Sequence, residues 1–319
     1  MPSVYALKDP SKTTGLRMRF IRDMDRRFAE LKRAMRISIV DNDCFGIQPS
    51  IRTFELTPAP RKAFEFKRTP EKIKGFMAWL EEQEAKGVLQ VIRRPGTYTG
   101  IEAAWSDLYI DSAYQQGMRN GRTRLRRQGA KIPTFDEGFH NVAAAMNQPI
   151  HADRVGIIYT RVFEDLKSVM NVTNAQIRRE LTEGLTSGLA KGMAEGKNPN
   201  VIAREMFKDA ASRVDKIGIV RARTIARSEV MNAHNEASLA EYEMAQQIMG
   251  VPVMVEVAVG GGPCKSGICD DVAADAPFTI EEARGMWPGH THPNCGCVPL
   301  PIVGEPGETH KDMARRLAN

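Results

Sequence analysis

The chain has 319 residues, of which 42% are apolar and 26% are charged, and its formal net charge is +6 at pH 7. This composition excludes a chain that is disordered throughout, and a chain of this length is expected to form two or three folding units. The apolar runs are only a few residues long, so we expect no membrane span, and residues 1–10 lack the apolar segment of a signal peptide.

Positive charge is concentrated in the first half of the chain. Residues 1–150 carry 26 lysines and arginines against 17 acidic residues, whereas residues 151–319 carry 19 against 22. A surplus of positive charge attracts phosphates or acidic proteins, but it also commonly serves only to solvate helix faces. If the chain contacts double-stranded DNA, we expect residues 1–150 to bind it weakly and without sequence preference.

An amphipathic helix is predicted over about residues 15–39, because apolar side chains recur there at steps of three or four. The residues of this apolar stripe are Leu16, Phe20, Met24, Phe28, Leu31 and Met35. Arginines and lysines occupy most of the remaining helix surface. The stripe suits either a partner protein or the rest of the same chain, and the pattern leaves both alternatives open.

The next stretch changes character twice. Residues 54–66 alternate aromatic and polar side chains and contain two prolines, which predicts short strands or an extended arm. Thr69 followed by Pro70 then marks the start of a helix that is expected to end at Gly87.

A second long helix is predicted over about residues 102–128, and it ends in a cluster of arginines. Cations in a last turn complement the helix dipole, which is one explanation of the cluster. The other explanation is a surface that faces phosphate groups. On that second explanation, the candidate nucleic-acid-binding residues are Arg122, Arg124, Arg126 and Arg127.

Helices are predicted to continue through residues 152–183, 199–209 and 212–249. Between the first two, glycines follow one another at steps of four, at positions 184, 188, 192 and 196. This spacing is typical of close helix packing in membranes, but residues 181–197 are too polar and too few to span one. We therefore expect a tight turn into a short helix there.

Four of the five cysteines lie within the last quarter of the chain, close to a histidine. Thiolates and a neutral imidazole are the ligands of a closed tetrahedral zinc site, and two ligand pairs about 25 residues apart are a common way to supply them. In a cytosol, clustered cysteines favour a metal over disulfides. We therefore expect a structural Zn²⁺ held by four of five candidate ligands, which are Cys264, Cys269, His292, Cys295 and Cys297.

Several motifs follow one another in a characteristic order. Residues 221–229 read Arg-Ala-Arg-Thr-Ile-Ala-Arg-Ser-Glu, and Asn232 and Asn235 follow on the same predicted helix. An apolar strand at 251–259, the first cysteine pair and the run His-Pro-Asn-Cys-Gly-Cys at 292–297 come next. In this order and spacing, the chain resembles the phage Mu protein F-like family, the head-morphogenesis or minor capsid proteins of tailed phages, over about residues 150–302.

The chain also departs from the family's pattern at three places. Gly296 stands between the last two cysteines, where the family usually has an arginine. The strand after the long helix contains Met254 and Glu256 but no tryptophan. Four residues, rather than the usual two, separate Cys264 from Cys269.

The resemblance implies a protein of the virion or procapsid that is assembled in the host cytoplasm and is present in few copies at the portal vertex or the inner capsid. It implies the portal protein as partner, major capsid or scaffold proteins as further partners, and packaged DNA nearby. It implies no enzymatic reaction. The alternative is a packaged metal-dependent hydrolase or nuclease-type effector, although the short stretch after residue 302 leaves no room for the toxin domains that some relatives carry.

The signature helix of this family corresponds to the region that holds Arg223, Arg227, Glu229 and Asn232. No nucleophile and base are evident beside them, so we expect these residues to have a structural role and to fix the long helix to the zinc-bearing module.

The predicted fold is mainly α, with an elongated helical N-terminal region and a small C-terminal α+β module that a zinc site staples. Residues 1–50 are expected to hold the basic amphipathic helix, and residues 51–150 the extended arm and a basic helical region. The resemblance implies a head-morphogenesis domain at residues 151–302, with helices to about residue 249 and the zinc-bearing module at 250–302. Residues 303–319 form a tail.

Overall fold

A computed structural model of the chain describes residues 9–45, 70–85, 94–95, 102–103, 105–135, 141–170, 175–260, 267–286 and 292–318. Within these ranges the protein is mainly helical and has a small three-stranded antiparallel sheet near the C-terminus. These findings confirm the predicted fold class at this level. The predicted extended arm at 54–66 and Cys264 lie outside the described residues.

The bounds of the elements follow the chain. The helices of the described ranges are α1 (Thr14–Arg36), α2 (Pro70–Ala85), α3 (Asp107–Arg127), α4 (Val142–Met146), α5 (Pro149–Met170), α6 (Ala175–Ala194), α7 (Pro199–Val214), α8 (Val220–Met249), α9 (Ile268–Ala274), α10 (Ile280–Met286) and α11 (His310–Ala318). The strands are β1 (Arg94–Pro95), β2 (Glu102–Ala103), β3 (Val253–Ala258), β4 (Phe278–Thr279) and β5 (Val298–Val303). Two π-helical turns, Ile37–Asp41 and Asp215–Ile219, follow α1 and α7.

The described residues belong to two compact units, and each unit is built from segments that are distant in sequence. The first unit comprises Met1–Ile21, Ile92–Asp165 and Thr224–Asn319, and the second comprises Arg22–Val91 and Leu166–Arg223. The predicted boundaries after residues 50, 150 and 302 divide the chain in linear order, and they stay predictions. No helix in the described part of the chain is both long enough and apolar enough to cross a membrane.

The apolar stripe of α1 is buried. All six of its side chains are at most 9% exposed. The ring of Phe20 stacks on that of Tyr109 of α3, with centroids 4.4 Å apart. In the second unit, Phe28 lies so close to Gly218 that a Cβ on this glycine would be 2.7 Å from the ring. The stripe therefore packs on its own chain, and the alternative of an open partner-binding stripe is wrong.

In the second unit, the glycines of α6 allow a close approach to α7. A Cβ on Gly192 would lie 2.7 Å from the side chain of Ile202, and a Cβ on Gly188 would lie 3.1 Å from that of Met206. The tight turn predicted for this stretch is wrong, because Ala175–Ala194 forms one helix whose glycine face α7 covers. Gly196, at a φ of 61°, follows the end of that helix. The four-residue spacing thus indicates close helix packing without a membrane.

In the first unit, α3 and α8 cross at a similar glycine pair. The backbone of Gly117 touches α8 so closely that a Cβ there would lie 2.2 Å from the carbonyl oxygen of His234. Gly121, one turn later, has Ser238 and Glu241 at 3.2 Å from the same hypothetical atom. The hydroxyl of Ser238 donates to the carbonyl of Gly117 at 3.1 Å. This crossing holds the long helix α8 against α3.

The C-terminal sheet packs on α8. Strand β3 lies between β4 and β5 and pairs antiparallel with both. Its register with β5 runs from Val253 opposite Val303 to Ala258 opposite Val298. All residues of β3 except Glu256 are buried, which confirms the strand predicted at 251–259. One apolar cluster contains valines of β3, three residues of α8 and three cysteines. The cysteines therefore lie within the core that joins the sheet to the helices.

Candidate metal centre

Three cysteines come together in the core of the first unit. Cys269, Cys295 and Cys297 are at most 6% exposed, and their sulfur atoms all lie within 4.8 Å of one another. The Sγ atoms of Cys269 and Cys295 are 3.5 Å apart, and none of the three cysteines is in a disulfide. A tetrahedral zinc with Zn–S bonds of about 2.3 Å separates its sulfur ligands by roughly 3.8 Å. The three thiols are thus close enough to bind a metal ion.

A turn presents Cys295 to this cluster. Its amide donates to the carbonyl of His292 at 3.1 Å, and Asn294 adopts a left-handed conformation with a φ of 65°. Proline at the second position and asparagine with positive φ at the third are the features of a type II turn. The run His-Pro-Asn-Cys therefore encodes both the turn and the cysteine that follows it.

On the other side of the cluster, Cys269 is the second residue of α9. Gly267, with a φ of 74°, precedes the helix, and its carbonyl accepts from the amide of Asp270 at 2.9 Å. Glycine suits this left-handed position because it has no Cβ. The chain thus brings one thiol from a helix start and two from the segment before β5.

Cys295 and Cys297 share a hydrogen bond that makes them unequal. This bond is the main cause that lowers the pKa of Cys295 to about 6, and the amide of Cys297, which donates to the Cys295 Sγ at 3.4 Å, adds to the effect. The same side-chain bond, together with burial, raises the pKa of the Cys297 thiol. This shift favours the thiolate form of Cys295, which the neighbouring Cys297 thiol stabilises. A bound metal ion would take the place of the proton on Cys297, since metals bind thiolates.

The chain passes the cysteine pair at contact distance. A Cβ on Gly260, two residues after β3, would lie 2.2 Å from the carbonyl oxygen of Gly296. By contrast, a Cβ on Gly296 would meet its nearest neighbour at an ordinary 3.4 Å. There is thus room for a side chain at position 296, where the resembled family usually has an arginine. The close packing requires a glycine at position 260 instead.

The structure brings together three of the five candidate ligands. His292 lies outside the sulfur cluster of the described residues, and its Nδ1 is 2.8 Å from the carbonyl of Pro293. Since a carbonyl only accepts, Nδ1 carries the proton and Nε2 is the nitrogen able to bind a metal. Cys264 lies outside the described residues, so the fourth ligand stays a prediction.

The signature helix residues make ion pairs within their own units. Glu229 is buried, pairs with Arg161 of α5 at 2.7 Å and accepts from the amide of Asn232 at 3.0 Å. Burial raises the pKa of Glu229, and Arg161 opposes that shift. In the second unit, Arg223 pairs with Asp25 of α1 at 2.7 Å. Glu229 and Arg223 thus bind other helices rather than the cysteine module, and Asn232 binds Glu229 in turn. Arg227 is exposed.

Three other residues of α8 fix the helix to the cysteine segment. The Oγ of Ser228 accepts from the amide of Asn294 at 3.1 Å, and the amide of Asn235 donates to the Cys297 carbonyl at 3.0 Å. The hydroxyl of Tyr242 donates to the carbonyl of Pro299, also at 3.0 Å. These residues are seven apart, so they lie on one face of the helix. The seven-residue spacing was the sequence signal that could have identified these three residues. None of them belongs to the predicted set of Arg223, Arg227, Glu229 and Asn232.

A ring of ion pairs adds a second attachment between the helices and the module. Arg154 of α5 pairs with Glu236 at 3.4 Å and with Glu243 at 3.0 Å, both of α8. Arg284 of α10 pairs with the same two carboxylates at 3.5 and 2.8 Å. Because all four side chains are partly buried and each has two partners, they form a network rather than isolated surface pairs.

A cavity of about 390 Å³ lies between the signature helix and the cysteine turn. Its polar lining includes Glu229, Asn232 and Ser228 of α8, together with Arg161 of α5. His292 and Cys295 line it from the turn. Cys295 is therefore the member of the cysteine cluster that borders this space.

Two of the four candidate nucleic-acid-binding arginines are engaged inside the first unit. Arg122 is 8% exposed, and its Nε donates to the carboxylate of Glu241 at 2.6 Å. Arg124 donates to the carbonyls of Pro10 and Pro299 at 2.6 and 3.1 Å. The prediction of a phosphate-facing surface is therefore wrong for Arg122 and Arg124, because internal acceptors bind their guanidinium groups. Arg126 and Arg127 are exposed and stay candidates.

Comparison of the chain with protein-family models, with curated proteins and with solved structures finds no match. The resemblance to the Mu protein F-like family therefore rests on the order and spacing of the motifs given above.

Proposed function

We propose that this chain is a minor head protein of a tailed bacteriophage that acts in head morphogenesis at the portal vertex or the inner capsid, and is not an enzyme. The observation that carries the proposal is the attachment of the cysteine segment to the signature helix through Ser228, Asn235 and Tyr242. These bonds join the two motifs on which the family resemblance rests. A metal at the buried cysteines would then hold the packing together, which is a structural task.

The metal that fits this centre best is Zn²⁺. Cys269, Cys295 and Cys297 supply three buried thiol ligands, and a fourth ligand is expected from Cys264 or His292. Soft thiolate ligands in a tetrahedral arrangement select zinc over oxygen-preferring ions. The backbone amide of Cys297 donates a hydrogen bond to the Cys295 Sγ, which favours a thiolate there. Hydrogen bonds to the ligand atoms have the same effect in metal sites.

The alternative function, a packaged metal-dependent hydrolase that acts on nucleic acid, is favoured by one observation. The cavity beside Cys295 also contains the carboxylate of Glu229, which is a possible general base. Against this, Arg161 and Asn232 already bind both oxygens of that carboxylate. Incubation of single- and double-stranded DNA and RNA with zinc-loaded and metal-free protein separates the two functions, since an assembly protein shows no metal-dependent turnover.

The portal association is tested with procapsids of the phage that encodes the chain. We expect the wild-type chain to co-purify with the portal protein in few copies per particle, and a cryo-EM map of the procapsid to place it at the portal vertex or on the inner wall. A chain that is absent from procapsids and virions contradicts the proposal.

Binding to packaged DNA is expected to depend on the exposed arginines. Replacing Arg126 and Arg127 with glutamine should reduce the salt dependence of double-stranded DNA binding by about 2 in the slope of log K against log salt, because each phosphate contact contributes about 0.9. Fluorescence anisotropy across a salt titration measures this slope. Replacing Arg124 with glutamine is the control, since it should alter stability more than the slope. Equal slopes for the double variant and the wild type would remove these two arginines from the interface.

A further inference from the structure

A row of four buried polar side chains crosses the first unit away from the cysteine cluster. Tyr114 and Arg122 of α3, His151 of α5 and Glu241 of α8 are at most 8% exposed. The Tyr114 hydroxyl lies 3.1 Å from His151 Nδ1, and Arg122 Nε donates to Glu241 Oε2 at 2.6 Å. In the middle of the row, His151 Nε2 and Glu241 Oε1 are 3.5 Å apart, and among the described residues neither atom has a hydrogen-bond partner.

The geometry restricts where hydrogens are placed. If neither His151 Nε2 nor Glu241 Oε1 carried a hydrogen, two bare acceptors would face each other away from water, which is costly. A hydrogen on either atom, at this separation of 3.5 Å, removes that cost. When it is on Nε2, Nδ1 accepts from the Tyr114 hydroxyl. When it is on Oε1, the imidazole proton moves to Nδ1 and donates to the Tyr114 oxygen, and the Tyr114 hydroxyl hydrogen rotates away from the ring.

The surrounding charges disfavour an imidazolium. Burial, followed by the positive charges of Arg122 and Arg154, lowers the pKa of His151 to about 4. His151 is also the third residue of α5, where the helix dipole is positive. Burial raises the pKa of Tyr114, which therefore keeps its proton; Arg154, Glu236, Glu241 and Arg284 act on it with opposing signs.

Glu241 is the group of this row that takes up a proton near neutral pH. Burial raises its pKa to about 7, although Arg122 opposes the shift. Burial outweighs the ion pair because Arg122 contacts only one of the two carboxylate oxygens, and the other faces the imidazole.

We propose that Tyr114, His151 and Glu241 form a buried proton relay that joins α3, α5 and α8, in which protonation of Glu241 reverses the tautomer of a neutral His151. Above the transition the hydrogen lies on Nε2, and below it the hydrogen lies on Nδ1. The direction of the bond between His151 and Tyr114 reverses at the same time. The relay thus converts one proton taken up at α8 into a rearranged hydrogen bond at α3.

Nitrogen-15 NMR of the full-length, histidine-labelled protein tests the relay directly, with the His151 signals assigned from their loss in His151→Gln. We expect the Nε2–H tautomer at about pH 8.5, the Nδ1–H tautomer at about pH 5.5 and a neutral ring throughout. In Glu241→Gln the tautomer should no longer change with pH. A His151 ring that becomes an imidazolium between these pH values, or a tautomer that stays the same, would overturn the proposal.

Proton linkage gives a second test that does not depend on the spectra. The folded His151 has a lowered pKa, so removing Glu241 as Glu241→Gln should leave stability that falls as pH drops from about 6.5 to about 4. The folded Glu241 has a raised pKa, so His151→Gln should leave stability that falls as pH rises from about 4.5 to about 7.

Each slope should approach a tenfold change in the unfolding constant per pH unit relative to the wild type, in which the two slopes cancel where they overlap. Urea unfolding at a series of pH values measures them. His310→Gln is the control, because His310 is only partly buried and bonds to Gln246 instead. Parallel pH profiles for both variants and the wild type would contradict the relay.

Discussion

Removing the metal from the reduced protein is expected to unfold the C-terminal sheet and to lower the thermal midpoint by more than about 10 °C. The apparent free energy of zinc binding in small structural sites is on the order of 10–16 kcal/mol near neutral pH. A loss of only about 3 kcal/mol of stability already lowers the thermal midpoint of a domain of this size by roughly 10 °C. The three cysteines lie in the core that joins β3 to α8, so losing the metal should open that core. Far-UV circular dichroism with and without a chelator measures the change.

Single substitutions separate the metal from general packing. Cys269→Ser, Cys295→Ser and Cys297→Ser should each bind less zinc than the wild type, whereas Cys44→Ser should bind the same amount, because Cys44 is exposed. The helices α6 and α7 of the second unit should stay folded when the metal is removed, since the cysteines belong to the first unit. Elemental analysis of protein kept reduced throughout would contradict the prediction if it found no transition metal.

The periodic elements were predictable because periodicity depends on local geometry alone. The stripe of α1, the strand β3 and the long helix that ends at Met249 all occur as the pattern predicts, apart from the π-helical turn Asp215–Ile219 within the predicted span of the last. What a pattern does not contain is the surface that covers a face. The same spacing that predicts an apolar stripe suits a partner protein equally well, and only the structure places Phe20 against Tyr109.

The polar residues were harder to assign because their roles depend on partners far away in the sequence. Arg122 looks like a surface cation at the end of a helix, but Glu241 lies 119 residues later and binds it in the core. The signature residue Glu229 looks suited to hold the cysteine module, but Arg161 of α5 binds it instead. The cysteine cluster was easier to predict, because its cysteines are close in sequence and few other roles explain them.

Within the site, the unexpected residues are those that connect the motifs. Ser228, Asn235 and Tyr242 recur at seven-residue steps, but an alternation of small, polar and aromatic side chains does not stand out as a face before the partner is known. Two of their three bonds go to backbone carbonyls and the third to a backbone amide, so no complementary side chain in the sequence reveals them. The attachment of α8 to the cysteine segment therefore follows from the fold rather than from residue pairs.

Replacing Gly117 with alanine is expected to destabilise the first unit by about 3 kcal/mol, the upper end of the usual cost of overpacking. The new Cβ would lie 2.2 Å from the carbonyl oxygen of His234 and 2.8 Å from the Cβ of Ala237. Both are fixed by helix α8, so relief requires α3 and α8 to separate. The same separation would weaken the bond from Ser238 to the Gly117 carbonyl. Urea unfolding of the full-length protein measures the change in free energy.

Two further alanine variants show whether the effect comes from the crossing of the helices. Gly121→Ala should cost less, about 1 kcal/mol, because its new Cβ would meet its neighbours only at 3.2–3.3 Å. Gly285→Ala, on the exposed side of α10 with open space around it, should be neutral or should stabilise the protein by up to about 1 kcal/mol through helix propensity. If Gly117→Ala is no more destabilising than Gly285→Ala, α3 and α8 do not cross in contact at Gly117. The contact between Arg122 and Glu241 would then be wrong as well, because it depends on that crossing.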